Sequence, residues 1–282
     1  GVTDYFIGGY GPDMGGSATG IGLGRTHPDG RFEFRGVLAE LPSPSWVTVD
    51  GDRVFAALEG AGELAELTWD GERLTEVRRV PAGGIAPCHL ATGSGMLVAA
   101  CYGDGAVVVH RDGAAPQVLP GAGSGPLPAQ KGPHAHHAAF VGGRVLTLDL
   151  GADVMHVHEV VRDGLTRVGT VTLPAGTGPR DLLALPDGWV VVLGEWSCEL
   201  LLLEPAEGTW EVAQSVVLPG AEPGEDQAAA LGGALGGRCI VAGIRGSDRI
   251  AAVAVDREGL RPVGWTSSGG RTPRHLVVDD GF

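Results

Sequence analysis

Hydrophobic positions along this chain come in short β-branched runs separated by Gly, Pro and Asp, and no window carries a convincing 3.6-residue rhythm. The runs obey a longer order. One phrase recurs: a small residue, Pro, two variable positions, an apolar pair, a Gly/Asp turn, a β-branched run, a polar residue, then Gly. Its copies begin at SPSWVTVDGDRVFAALEG, APCHLATGSGMLVAACYG, GPHAHHAAFVGGRVLTLDLG, GPRDLLALPDGWVVVLGEW, EDQAAALGGALGGRCIVAGIRG and TPRHLVVDDGF. With anchors at Pro44, Pro87, Pro133, Pro179, Gln227 and Pro273, successive copies lie 43, 46, 46, 48 and 46 residues apart. A period in the forties filled with strand-like segments predicts an all-β propeller with one four-stranded antiparallel blade per repeat.

Residues 178–224 show the unit. Arg180 to Leu185 reads as a first strand and Pro186-Asp187-Gly188 as a turn. Trp189 to Leu193 is a second strand, apolar on both faces. Glu199 to Leu203 is a third strand, and Trp210 to Val217 an alternating outer one. The segment AAALGGALGG at 228–237 is rich in alanine, but its glycine pairs and repeat position make it a first strand and turn. Residues 4–41 read as second, third and fourth strands without a first, and residues 272–282 as a first strand alone. The whole chain, 1–282, is read as one propeller domain. Two counts remain open: six blades closed by pairing the terminal strand with residues 4–41, or a ring lacking its last blade.

Antiparallel order puts the start of each first strand and the end of each second strand on one face of the disc. Trp46, His89, His134, His136, Arg180, Arg274 and His275 supply the starts; Glu59, Tyr102, Asp149, Glu195 and Arg245 supply the ends. All are expected around one mouth of the central channel, where polar groups from separate repeats make a pocket. On a strand, His134 and His136 share a face and His137 takes the other. The two histidines suit acid/base work, anion binding, or the start of a zinc site that lacks an evident third ligand. A structural ion pair between Arg180 and Glu195 is the plain alternative to a catalytic role. His156 and His158 are expected at the surface.

Net charge is −14 and the isoelectric point about 5.0, which argues against a nucleic-acid footprint. The 43% hydrophobic content supports a core, and no apolar run is long enough for a membrane span. Cys88, Cys101, Cys198 and Cys239 form no CxxC. Cys88 and Cys101 fall on neighbouring strands, as a disulfide or as two buried thiols. No signal peptide is visible, so a reducing cytoplasm is expected.

The motifs GPHAHHAAF (132–140), GADVMHVHEV (151–160), GTGPRDLLALPDG (176–188) and TPRHLVVDDG (272–281) resemble the seven-bladed β-propeller lactonase family. That family includes the propeller-type 6-phosphogluconolactonase and the carboxy-muconate lactonising enzyme. The resemblance covers essentially the whole chain and implies seven blades. It implies a lactone hydrolase acting on a sugar-acid lactone, without metal or other cofactor, as a monomer or weak homo-oligomer. A lactonising cycloisomerase or a specialised-pathway enzyme on the same scaffold, and a non-catalytic propeller binding module, are the alternatives. By resemblance the catalytic positions are His136, Arg180, Glu195 and Arg245. Substrate-binding positions are His134, His89, Tyr102, Glu59 and Arg274, facing a small anionic substrate. GEW, IRG and GPRD stand where the family usually has Asn-Glu, Asn-Arg-Gly and Pro-Arg-His.

Overall fold

A computed structural model describes residues 1–279. The chain is an all-β propeller of antiparallel blades, divided into two compact units at residues 121 and 122. The first unit opens with β1 (Thr3–Ile7), β2 (Gly20–Thr26) and β3 (Phe32–Glu40), a three-stranded sheet. Two four-stranded blades follow: β4 (Pro44–Asp50), β5 (Arg53–Leu58), β6 (Glu63–Trp69) and β7 (Leu74–Pro81), then β8 (Pro87–Gly93), β9 (Met96–Cys101), β10 (Val107–His110) and β11 (Gln117–Leu119).

The second unit holds three four-stranded blades. They are β12 (Ala135–Val141), β13 (Arg144–Asp149), β14 (Val154–Val161) and β15 (Gly164–Thr172); β16 (Pro179–Ala184), β17 (Val190–Gly194), β18 (Glu199–Ala206) and β19 (Thr209–Val217); and β20 (Gln227–Ala234), β21 (Cys239–Arg245), β22 (Arg249–Asp256) and β23 (Gly259–Ser267). Helical content among the described residues is limited to single 3-10 turns. The alanine-rich segment is strand β20, as its repeat position requires.

Second and third strands bury both faces because each blade is covered by a neighbour. In the second unit Leu146, Leu148, Met155 and Val157 pack on Leu182, Val190, Val192, Leu201 and Leu203. On the opposite face of that middle blade, Val191, Leu193, Leu200 and Leu202 pack on Ile240, Ala242, Ile244 and Val253. Outer strands such as β19 alternate buried and exposed positions, since only one face finds a partner.

The terminal segment differs from expectation. Residues 272–279 join no sheet, so the composite four-stranded blade is not formed among the described residues, and residues 280–282 of the expected strand lie outside them. The segment lies against the blade of β20 and β21 instead. Leu276 and Val278 come within 2.7 and 2.6 Å of where a Cβ on Gly232 would sit, so a larger residue there would displace it.

All four cysteines are free thiols. His156 and His158 are buried, contrary to the surface expectation, because the third strand of a blade is an inner element. Thr170 Oγ1 bonds His156 Nδ1 at 2.8 Å, and Thr147 Oγ1 bonds His158 Nε2 at 2.9 Å. Burial, with the Arg167 charge adding to it, pushes His156 down to about 4 and His158 to about 3. Both are neutral in the folded protein where the unfolded chain, titrating near 6.5, already takes up protons. Their stabilisation is therefore complete above pH 6.5 and is lost as pH falls toward 4. Urea unfolding at pH 7 and pH 4.5 should show a steep loss in the wild type. The double variant His156→Gln/His158→Gln should lose less over the same interval, by on the order of 2 kcal/mol for each histidine replaced. Equal losses would contradict the buried neutral pair.

Candidate active site

Every complete blade of the chain breaks its ladder at the same place. The register between first and second strands skips Ser45 after Pro44, Cys88 after Pro87, His136 after Ala135, and Arg180 after Pro179. In β20 it skips Ala229 and Ala230. A bulge takes a residue out of the alternation and re-aims its side chain. The closing hydrogen bond is also shared: the N–H groups of Glu59, Tyr102, Leu150 and Glu195 donate to the carbonyls of Ser43, Ala86, His134 and Gly178.

These equivalences correct the repeat frame. Ala135, not Pro133, matches Pro44, Pro87 and Pro179, because two extra residues precede the third copy. His136 is therefore the counterpart of Arg180, and His134 lies ahead of the strand. Asp149 pairs with Ala135 and so matches Gly194, not Glu195. It is not a pocket carboxylate. Its Oδ1 accepts the N–H groups of His134, Gly151 and Ala152 at 2.8–3.0 Å, as a turn-closing carboxylate.

Arg180 is delivered by a loop tied down at several points. Asp153 accepts the N–H of Gly176 on Oδ2 and those of Gly178 and the Gln130 amide on Oδ1, each at 2.7 Å. Gly178 sits at φ 61° against the Trp196 indole, where no Cβ fits. Trp196 thus braces the loop.

At the end of β17, Glu195 Oε1 accepts from two guanidiniums. Arg180 Nη1 donates to it from β16, and Arg245 Nη2 donates from the end of β21 at 2.6 Å. Side-chain exposure is 13% for Arg180, 8% for Arg245 and 7% for Glu195, so the triad is largely desolvated. Arg245 Nη2 also reaches the Ala228 carbonyl at 3.4 Å. Burial lowers the Arg245 pKa and the neighbouring Arg180 charge lowers it further, while Glu195 opposes both and Arg274 adds to the positive field. The structural ion pair weighed from sequence is real, and a second arginine completes it.

His136 stands beside this cluster, half-buried. Burial drives its pKa well below the ordinary histidine value, helped by the charges of Arg180, His137 and Arg245. At neutral pH it is an uncharged imidazole next to two guanidiniums. The next position along is structural. His137 Nδ1 lies 3.1 Å from Asp181 Oδ1, which also accepts the Leu182 N–H, and Asp181 Oδ2 accepts the Leu231 N–H at 2.9 Å. Asp181 therefore connects all three blades of the unit. No local signal exposes that role, since its partners lie 44 and 50 residues away in sequence. Among the described residues no group of three or more His, Cys, Asp or Glu side chains could hold a metal ion.

Glu59, His89 and Tyr102, expected to bind substrate, belong to the first unit. Glu59 and Tyr102 occupy the repeat position of Glu195. His89 occupies that of His137 and packs its ring on Trp46, with centroids 4.2 Å apart, inside the blade contact. Arg274 and His275 stand on the exposed terminal segment of the second unit, and His275 couples electrostatically to Asp181 and Arg180.

The second unit thus gathers a neutral imidazole and one arginine from bulged strand starts with a second arginine from the end of β21, both arginines held by one carboxylate. The chain belongs to the seven-bladed β-propeller lactonase family, whose model matches residues 4–281, and is a lactonase by that membership. It is similar to a candidate 6-phosphogluconolactonase of Bacteroides fragilis, with a TM-score of 0.90 at 23% identity over 99% of this chain and 85% of that one. The periplasmic gluconolactonase PpgL of Pseudomonas aeruginosa gives a TM-score of 0.88 at 27% identity, covering 97% and 85%. An uncharacterised protein of Lactococcus lactis subsp. cremoris is 29% identical over 255 residues, 84% of this chain and 75% of that protein.

Removing the shared carboxylate leaves two buried guanidiniums without a counter-charge. Glu195→Ala should cost about 3 kcal/mol of unfolding free energy in urea, well above a truncation at an exposed glutamate such as Glu159. A loss within the range of surface substitutions would show that the triad is not held in solution.

Proposed function

We propose that the protein hydrolyses a sugar-acid lactone, with 6-phosphogluconolactone as the leading candidate, by a metal-independent mechanism. One observation carries the reading: Arg180 and Arg245 converge on a single oxygen of Glu195 beside a neutral His136. Lactone opening needs a base for water, donors for the oxygen that gains charge, and a proton for the departing ring oxygen. His136, kept uncharged, takes the proton from water and returns it to the alkoxide. Arg180 and Arg245 stabilise the oxyanion, and fixing them in advance removes the cost of orienting them during reaction. Glu195 holds both forks in place through Oε1. Its role is therefore to position the arginines.

The substrate class follows from charge. Arg180, Arg245 and Arg274 against Glu195 and Asp181 leave a local positive balance on a protein of net charge −14, which suits an anionic ligand. Similarity to the Bacteroides candidate 6-phosphogluconolactonase and the Pseudomonas gluconolactonase supports the same substrate class. The four free cysteines fit a reducing compartment. No helix among the described residues is long and apolar enough to cross a membrane.

A panel of sugar-acid lactones, with spontaneous hydrolysis subtracted, tests the assignment. His136→Gln should lower kcat by at least about 100-fold with KM little changed, because only proton transfer is removed. Arg180→Lys keeps the charge but loses the planar fork, and kcat/KM should fall by about 100-fold. The pH–rate profile should stay flat down through pH 6.5 and fall only below it, following the depressed His136. Chelators should change nothing. Wild-type turnover in His136→Gln, or activity lost to chelation and restored by a divalent ion, would overturn the mechanism.

A further inference from the structure

The first unit carries a second pair of arginines locked by one glutamate. Glu66 on β6 accepts Arg53 Nε on Oε1 at 2.9 Å, with Arg53 Nη2 at 2.8 Å, and Arg78 Nε on Oε2 at 2.7 Å. Its side chain is 13% exposed. Both guanidiniums are thus fixed from beneath, and Arg53 also lies over the Phe55 ring, 5.0 Å from its centroid. Their outer Nη2 groups point at one place. Asp112 Oδ1 occupies it, 2.9 Å from Arg78 and 3.3 Å from Arg53.

Asp112 is unlike Glu66. It is 68% exposed, on the turn that joins β10 to β11, and uses one oxygen for both contacts. Beside it opens a cavity of about 250 Å³, walled by Phe55, Met96 and His110 as well as the two arginines and the β8–β9 turn. His110 donates Nε2–H to the Ala82 carbonyl at 2.9 Å, and burial lowers its pKa, so it adds no charge of its own at neutral pH.

We propose that this cavity is a second anion site, for a small phosphate-bearing molecule, in which Asp112 stands in for a phosphate oxygen. Glu66 supplies the preorganisation, and two rigid forks offer more directed donors than one planar carboxylate can use. An exposed ion pair contributes little, so Asp112 is displaced at small cost. Once it swings out, Arg53, Arg78 and Arg111 stand against Glu66 and Asp50 around the cavity, and the site carries a net positive charge. The cavity has room for a phosphate and a short attached group. The site uses none of the residues assigned to lactone opening.

Calorimetric titration of the whole chain with inorganic phosphate at low ionic strength tests this. Asp112→Ala should tighten binding about threefold or more, the equivalent of a weak exposed pair removed. Arg78→Glu should abolish that binding, and Arg180→Met should leave it in place. Lactonase activity and melting temperature should be retained in Asp112→Ala and Arg78→Glu, which keeps a folding defect distinguishable. Equal phosphate affinity in the wild type, Asp112→Ala and Arg78→Glu means an adventitious ion only and overturns the proposal, as does binding lost in Arg180→Met alone. If Arg78→Glu melts early, Arg78→Lys replaces it. That variant keeps the charge without the fork and should weaken phosphate by several-fold; unchanged affinity would count against the site.

Discussion

A one-residue slip in the ladder between first and second strands governs the chemistry of this fold. Regular pairing would alternate side chains between the two covered faces of a blade, and both faces are apolar. The bulge takes one residue out of that alternation in four blades and two alanines in the blade of β20. His136 and Arg180 fill it in the second unit and carry polar groups to the ion cluster, while Ser45 and Cys88 fill it with small buried groups in the first. In four of these blades the hydrogen bond from the residue following the second strand to the residue preceding the first closes the hairpin beside the bulge.

Charge is then handled by sharing. Two arginines buried close together would repel and would each need a counter-ion. Glu195 serves both through one oxygen, and Glu66 serves a second pair through two. The first cluster is largely desolvated beside a neutral imidazole. The second is covered only by a mobile-length aspartate side chain at a turn. One carboxylate between two forks is thus used once as a reaction-site scaffold and once as a base for an exposed anion cradle. Asp181 and Asp153 do quieter work around the first cluster, tying three blades and one loop to the strand that carries Arg180.

The sequence by itself determined the blade boundaries, the strand assignments within 178–224 and the strand identity of the alanine-rich segment, because these follow from a repeat written in local turn and strand chemistry. It also picked out Arg180, Glu195, Arg245 and His136. Tertiary structure decided the rest. Pairing across the hairpin, not the position of proline, sets which residues are equivalent, so His136 and not His134 takes the place matching Arg180, and Asp149 closes a turn. Neighbouring blades buried His156 and His158, since a third strand has no free face. Asp181 gained its partners from strands 44 and 50 residues away, and the terminal segment packs on the blade of β20 and β21. In each case the deciding contact is made between blades or across a bulge, and a periodic pattern read along one strand carries no record of either.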